Sequence, residues 1–221
     1  MTQTQQATTK PPSVPTGYAL RYPESWWHLE LDPNTRDATI RRRLLAGLDE
    51  ETADRDLVDS MIRAARKAAR EAHARGALQL AGMFELMDDG SPLIGTTMVL
   101  RIISPDEDPP DLSQLMVSYA IRNAGLPLGK NTSGNQVDLI ELPLVGPAGR
   151  VTSVEDIDFY GKGWARMAIM HTVVPVPESG DFLVIASSTP NVGLTDEFFE
   201  VFDAISETLK FEFNSQEQGG S

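Results

Sequence analysis

The histidines are the first residues to consider for chemistry, because imidazole is a common general base and metal ligand. The chain contains three, His28, His73 and His171, far apart in the sequence and on different predicted elements. A catalytic triad or a metal site needs several such groups to converge. A small hydrolase that uses His171 with Ser or Asp partners is therefore one hypothesis, and a half-buried strand residue is the favoured interpretation of His171.

The motifs of the common enzyme families are absent. The sequence has no GxxxxGK[ST] loop, no GxGxxG, no GxSxG and no HExxH. It also lacks cysteine, which excludes disulfides, thiolate nucleophiles and Cys-based zinc or iron–sulfur sites. We therefore expect no catalytic, cofactor-binding or metal-binding residues, no cofactor, and a protein that is not an enzyme.

Two further polar groups need an interpretation. Asp156 and Asp158 share one face of a predicted strand, where a carboxylate pair could serve acid–base chemistry or bind calcium, but a solvated strand face is favoured. The hydroxyl residues 187–189 precede a predicted helix and could attract an anion. Because that helix begins with acidic residues, hydrogen bonding of these hydroxyls to turn backbone is the better explanation.

Acidic residues outnumber basic residues, and this bears on possible partners. The 221 residues include 32 Asp and Glu against 19 Lys and Arg, which gives a net charge of −13. A protein of this charge repels the phosphates of nucleic acids and of anionic lipids. We therefore expect neither a nucleic-acid partner nor a membrane partner.

The charge is unevenly distributed along the chain. Residues 36–75 contain ten basic and eight acidic residues, whereas residues 76–221 contain seven basic and 21 acidic residues. The first segment predicts a cationic edge, which either meets a partner or pairs with the chain's own carboxylates. That edge consists of Arg41, Arg42, Arg43, Arg63, Arg66, Lys67 and Arg70.

The adjacent tryptophans Trp26 and Trp27 are candidates for an interface. In an alternating strand one of them faces the core and the other faces outward, and an outward Trp is a typical interface anchor. Trp164 and Arg166 share one face of a later predicted strand and could extend the same patch. The candidate partner-binding residues are Trp26, Trp27, Arg63, Arg66, Lys67, Arg70, Trp164 and Arg166.

Hydrophobic periodicity predicts the elements that position these residues. A strand, a tight turn and a second strand are followed by two helices with apolar stripes, an N-terminal helical insertion at about residues 35–75. The remaining segments alternate as strands joined by short turns such as residues 146–149 and 161–163. The predicted strands are 18–22, 27–31, 78–87, 96–103, 137–145, 150–159, 164–174 and 182–188, and the predicted helices are 35–48, 51–75, 112–124 and 195–209, the last capped by Thr195.

These elements predict an α+β fold, in which helices pack on one antiparallel sheet of about six to eight strands. The polar segments 1–16 and 214–221 are expected to be flexible tails on a single domain, 17–213. The sequence contains no secretory signal and no apolar run long enough to span a membrane. We therefore expect cytoplasmic localisation.

The two ends of the predicted domain resemble those of PsbP-like domains. GYALRYPESWW (residues 17–27) has the strand–proline–tryptophan order that opens them, and GDFLVIASSTPN (180–191) with TDEFFEVFDAISETLKFEF (195–213) is similar to their closing unit. The resemblance implies an α/β/α sandwich and a family that mostly binds other macromolecules. The export signal or anchor cysteine of some members is absent, the helical insertion has no counterpart, and no binding residues carry over.

Three hypotheses for the function follow. The leading one is a non-catalytic protein-binding adaptor, or secretion-chaperone-like protein, of the bacterial cytoplasm, with an unidentified protein partner and with homo-oligomers possible. The Ala- and Arg-rich helices are typical of a GC-rich, for example actinobacterial, source. The second hypothesis is an immunity protein whose acidic half neutralises a basic toxin. The third is the small hydrolase that uses His171.

Overall fold

The computed structural model describes residues 14–46, 55–87, 89–103, 112, 133–158 and 163–214. The described part has the predicted α+β fold, with an antiparallel seven-stranded sheet and helices packed on it. The strands are β1 Gly17–Ala19, β2 Trp27–His28, β3 Ala77–Leu86, β4 Pro92–Ile102, β5 Ser133–Leu142, β6 Gly146–Asp158, β7 Trp164–Pro175, β8 Phe182–Thr189 and β9 Lys210–Glu212. The helices are α1 Arg36–Ala46, α2 Arg55–Ala74 and α3 Thr195–Glu207.

The strand order of the large sheet is β2-β3-β4-β8-β7-β6-β5, and every neighbouring pair is antiparallel. Most pairs are consecutive in the chain, since short turns connect antiparallel neighbours. β8 is the exception, because it inserts between β4 and β7. The two edges of the sheet are therefore β2 and β5.

Helices cover the two faces of the sheet, as the alternation along β3 requires. Leu80 packs with Ile40 of α1 and Ala69 of α2. Its neighbour Ala81 points to the opposite face and packs with Phe198 of α3. The pair α1–α2 therefore lies on one side of the sheet and α3 on the other.

Aromatic packing fixes α3 against its face. Phe202 is completely buried, and its ring stands perpendicular to that of Trp26 at a centroid distance of 6.3 Å. Gly95 of β4 leaves room for this contact, because a Cβ there would lie 2.9 Å from the Phe198 ring and 3.0 Å from the Trp26 ring. The contact between α3 and the sheet thus depends on a glycine directly beneath two aromatic rings.

The predicted cap of α3 was wrong in detail. A short 3-10 turn, Val192–Leu194, runs directly into the helix, so Leu194 occupies the N-cap position and makes no side-chain cap. Thr195 is instead the first helical residue, and its Oγ1 donates to the carbonyl oxygen of Val192 at 2.8 Å. The hydroxyl therefore stabilises the turn that precedes the helix.

The first two strands do not form the expected hairpin. β1 pairs with β9 at the other end of the chain, with Tyr18 opposite Phe211, and together they form a separate two-stranded sheet. β2 pairs with β3 instead. Both strands are shorter than predicted. The predicted turn between them is present, and there the Trp26 amide donates to the carbonyl oxygen of Pro23 at 3.0 Å.

Several predicted boundaries also moved. The turn between β5 and β6 lies at residues 143–145, and residues 146–149 belong to β6, where Ala148 is fully buried. β4 begins at Pro92, four residues earlier than predicted. Gly76 ends α2 with a φ of 74°, as expected for a helix C-terminus. Most of the predicted helix 112–124, the turn 161–163 and the two predicted tails lies outside the described residues.

Candidate interaction site

The two adjacent tryptophans face opposite sides of the sheet, as the alternation predicts. Trp26 is only 6% exposed and packs with the aromatic residues of α3. Trp27 is half-buried and packs with the cluster that holds α1 and α2 to the sheet. Trp26 is therefore a core residue with too little exposed surface to contact a partner. Trp27 is the member of the pair that borders a surface.

An open groove of about 410 Å³ lies beside Trp27, between β2 and α1. Trp27 supplies its apolar wall, since the neighbouring Ile40 is almost completely buried, and two guanidinium groups supply its positive charge. His28 lies with its Nδ1 3.1 Å from Nε2 of Gln79, which orients the imidazole. The lining residues are Trp27, His28, Thr39, Ile40, Arg42 and Arg43. The groove therefore combines an apolar wall with cationic and hydrogen-bonding groups.

Arg66 connects the two helices of the insertion. Its Nη2 donates to the backbone carbonyl oxygen of Asp37 at 2.8 Å, and its Nε lies 3.3 Å from the same oxygen. The residue is half-buried. Arg66 therefore positions α1 against α2, and this role differs from the partner contact that the sequence predicted.

Lys67 is also engaged within the insertion. Its Nζ lies 3.7 Å from Oε1 of Glu71, one helical turn further along α2. At the start of α1, the buried Arg36 pairs with Asp37 in a similar way, with its Nε 3.3 Å from Oδ1. The alternative that the cationic edge pairs with the chain's own carboxylates therefore holds for Lys67.

Seven other arginines of the insertion, residues 35–75, are exposed, and five of them belong to the cationic edge that the sequence predicts. None of them forms an ion pair with a carboxylate in the part of the chain that the structure describes. Arg63 and Arg70 flank Arg66 at the i−3 and i+4 positions of α2, so they lie on the side of α2 that meets α1. We call these five residues the cationic surface: Arg41, Arg42, Arg43, Arg63 and Arg70.

Trp164 and Arg166 do not extend this surface. They share a face of β7 with Met170, which packs against α3, whereas Trp27 lies on the face that α1 and α2 cover. Three strands separate β7 from β2. Trp164 is 49% exposed, and Nη1 of Arg166 lies 3.3 Å from Oδ1 of Asp156. The two residues therefore belong to a different region of the molecule.

His171 is buried in the middle of the sheet, with 8% of its surface exposed. Burial lowers the pKa of its imidazole to about 4, so the ring is neutral near pH 7. A group so enclosed has little surface for contact with a dissolved substrate. Its position therefore gives no support to the hydrolase hypothesis.

The hydroxyls of residues 187–189 are satisfied by β4. Ser187 Oγ lies 2.8 Å from Thr97 Oγ1, and Thr189 Oγ1 donates to the carbonyl oxygen of Ile94 at 2.7 Å. Ser188 Oγ lies 2.9 Å from Thr96 Oγ1. These contacts join β8 to β4. The hydroxyls are therefore structural, but Ser187 and Ser188 pair with threonine hydroxyls of β4 and not with the turn backbone that the sequence predicted.

The described residues lack both a metal-binding cluster and a membrane-spanning helix. They contain no group of three or more His, Asp or Glu side chains that could hold a metal ion. Of the helices within the same residues, none has the length and apolarity that crossing a bilayer requires.

Replacing His171 by Gln should make the free energy of unfolding depend less steeply on pH under acidic conditions. The folded protein keeps this imidazole neutral down to a pKa of about 4, whereas the unfolded chain protonates it near pH 6.5. The unfolded state therefore binds more protons within this window, and stability falls as the pH drops through it. The free energy of unfolding should therefore change with pH more steeply in the wild-type protein than in His171→Gln, by at most about 1.4 kcal/mol per pH unit.

Urea unfolding between about pH 7 and about pH 4 measures this slope. His73→Gln, at an exposed position near the end of α2, serves as the matched control and should keep the wild-type slope. An unchanged slope in His171→Gln would show that the buried imidazole does not limit acid stability.

The sequence placed Arg42 and Arg43 on the predicted cationic edge but not among the candidate partner-binding residues, and it did not reveal the groove beside them. His28, Thr39 and Ile40 were not singled out as site residues. One signal was present, because Thr39, Arg42 and Arg43 have the i, i+3, i+4 spacing of one helix face. The distance between that face and Trp27 depends on how α1 packs on the sheet. The spacing of the residues in the sequence does not predict this distance.

Comparisons with known proteins do not identify a function for this chain. No family model matches the sequence, and no curated protein matches it. Among solved structures it is similar to LpqN, which is described as involved in cell envelope biogenesis of Mycobacterium tuberculosis. The two chains are 12% identical over 93% of this chain and 87% of LpqN, with a TM-score of 0.48. The PsbP-like resemblance stays a prediction.

Proposed function

We propose that this protein is a non-catalytic adaptor that binds an acidic segment of a partner protein at the cationic surface and the adjoining groove. One observation carries the proposal. Five exposed arginines without a described carboxylate partner lie on the two helices of the insertion, and two of them line a groove with Trp27 as its apolar wall.

The chemistry of the groove selects the kind of partner. Guanidinium groups bind carboxylates through paired, charge-assisted hydrogen bonds, which a partner rich in Asp or Glu can supply. Trp27 offers the apolar area that anchors an interface, since aromatic residues and arginine dominate binding hot spots. An acidic segment that also carries an apolar side chain is therefore the ligand that matches the groove.

The proposal places the protein in the bacterial cytoplasm, among adaptors and secretion-chaperone-like proteins. It includes no nucleic-acid or membrane partner, because the net charge of −13 opposes both. It also includes no catalytic step, since His171, the histidine of the hydrolase hypothesis, is buried and the enzyme motifs are absent. A protein partner with an acidic segment therefore accounts for both the arginines and the apolar wall of the groove.

Site-specific photo-crosslinking from the groove tests this proposal. A photoreactive amino acid at Thr39, which lines the groove, should form a covalent complex with the partner in cells of the source organism. The yield should fall as salt is raised in a lysate, because exposed charge pairs are screened.

Glu200, exposed on α3 at the opposite face of the sheet, is the control position for the same amino acid. It should give little or none of this complex. A complex that forms from Glu200 and not from Thr39 would refute the proposed contact surface. Mass spectrometry of the Thr39 complex identifies the partner for the measurements below.

A further inference from the structure

The edge strand β5 has the features of a strand-addition site. It is ten residues long, and β6 is the only described strand that pairs with it. The opposite edge, β2, has two residues. A long edge strand presents backbone N–H and C=O groups to any extended segment that can hydrogen-bond with them.

Two of the devices that usually protect an edge, proline and lysine, are missing from β5, whose register with β6 is irregular only between Ser133 and Gln136. Its sequence, SGNQVDLIEL, contains neither proline nor lysine. Val137 and Leu139 are 40% and 64% exposed, and they share one face of the strand because they are two residues apart. β5 therefore combines accessible backbone with apolar side chains that a neighbouring strand would cover.

The charge around β5 indicates what kind of strand fits there. Residues 133–158, which form β5 and β6, contain five carboxylates and one guanidinium group. That guanidinium, on Arg150, already pairs with Asp203 of α3. Asp138 and Glu141 lie on β5 itself, on opposite faces of the strand. A basic segment complements this charge, whereas a second copy of the chain would bring the same carboxylates.

We propose that β5 accepts an extended basic segment of a partner protein as an eighth strand of the large sheet. Apolar side chains of that segment cover Val137 and Leu139, and its lysine or arginine side chains, on the opposite face, reach Asp138. This surface is separate from the one under "Proposed function", since β5 and β2 are opposite edges of the sheet. An adaptor would then have a cationic surface at one edge and an acidic strand at the other.

Fluorescence anisotropy with a short, end-blocked peptide of alternating valine and lysine tests the proposal. The full chain should bind this peptide at low salt, and Leu139→Lys should weaken binding by about tenfold or more, because it adds a charge to the edge. The matched control, Leu78→Lys, alters a leucine that is 49% exposed on β3 and should leave binding unchanged.

A second peptide separates strand pairing from general charge attraction. N-methylation of alternate residues keeps the lysines but removes backbone donors, and it should weaken binding by about tenfold or more. Equal binding of the methylated peptide, or unchanged binding by Leu139→Lys, would overturn the proposal. The proposal would also be overturned if the chain did not bind the peptide and formed a dimer that Leu139→Lys dissociates. A second copy of the chain would then occupy β5. None of these outcomes depends on the groove beside Trp27.

Discussion

Replacing both Arg42 and Arg43 by glutamate is expected to weaken partner binding by roughly 30-fold or more. An exposed ion pair contributes about 0.2–1 kcal/mol, and a reversal replaces attraction with repulsion. Two reversals should therefore cost about 2 kcal/mol or more, at about 1.4 kcal/mol for each tenfold change in affinity. Both side chains are exposed, so the free energy of unfolding should stay within about 0.5 kcal/mol of the wild-type value.

The matched control is Arg21→Glu combined with Lys210→Glu. These residues are exposed near the two-stranded sheet of β1 and β9, and the double change alters the net charge by the same amount. Isothermal titration calorimetry with the partner that crosslinking identifies should show that this control variant binds with an affinity within about threefold of the wild-type value. Equal losses in the two variants would mean that only net charge matters and that the groove has no specific role.

Replacing Phe202 by Ala is expected to destabilise the fold by about 3–5 kcal/mol. The side chain is completely buried, and its ring centroid lies 5.7 Å from that of Phe198 and 6.5 Å from that of Phe199. Its removal leaves a cavity between α3 and the sheet, next to Trp26. Urea unfolding monitored by circular dichroism measures the loss.

Phe213→Ala is the control for this loss, because Phe213 is 46% exposed. It should cost less than about 1 kcal/mol. An unchanged unfolding midpoint for Phe202→Ala would show that α3 is not docked on the sheet. Partner binding by the folded fraction of Phe202→Ala should stay close to wild type, since α3 lies on the face opposite the groove.

The type of most elements was predictable because local periodicity reports burial. Along α2, Ile62, Ala69 and Ala72 are buried at helical spacing, and the sequence alone contained that stripe. Turn positions were less predictable. Glycine at residues 146 and 149 favoured a turn there, but β6 starts at Gly146 and leaves residues 143–145 to make the turn.

The roles of individual basic residues were not predictable, since they depend on how α1 and α2 pack together. The sequence does not distinguish Arg66 from Arg63 and Arg70. Among the described residues, however, only Arg66 of these three donates a hydrogen bond to the backbone of α1. A charge reversal at Arg66 would therefore disturb the helix pair as well as the surface. Arg42 and Arg43 are the better positions for testing binding, because both line the groove and are exposed.

The separation of Trp27 from Trp164 required the sheet order. The insertion of β8 between β4 and β7 places the two residues on strands far apart in the sheet. The register then decides the faces, because a shift of one residue would move Trp164 to the other side. Neither fact follows from the alternation within a single strand.

Amide hydrogen exchange with and without the acidic segment of the identified partner distinguishes the two candidate contact surfaces. The segment should slow exchange in β2 and α1, within residues 27–46, and leave β5 and β6 unchanged. Protection confined to residues 133–158, with none in α1, would contradict the proposed function. The acidic half would then be the contact surface, as the immunity hypothesis requires.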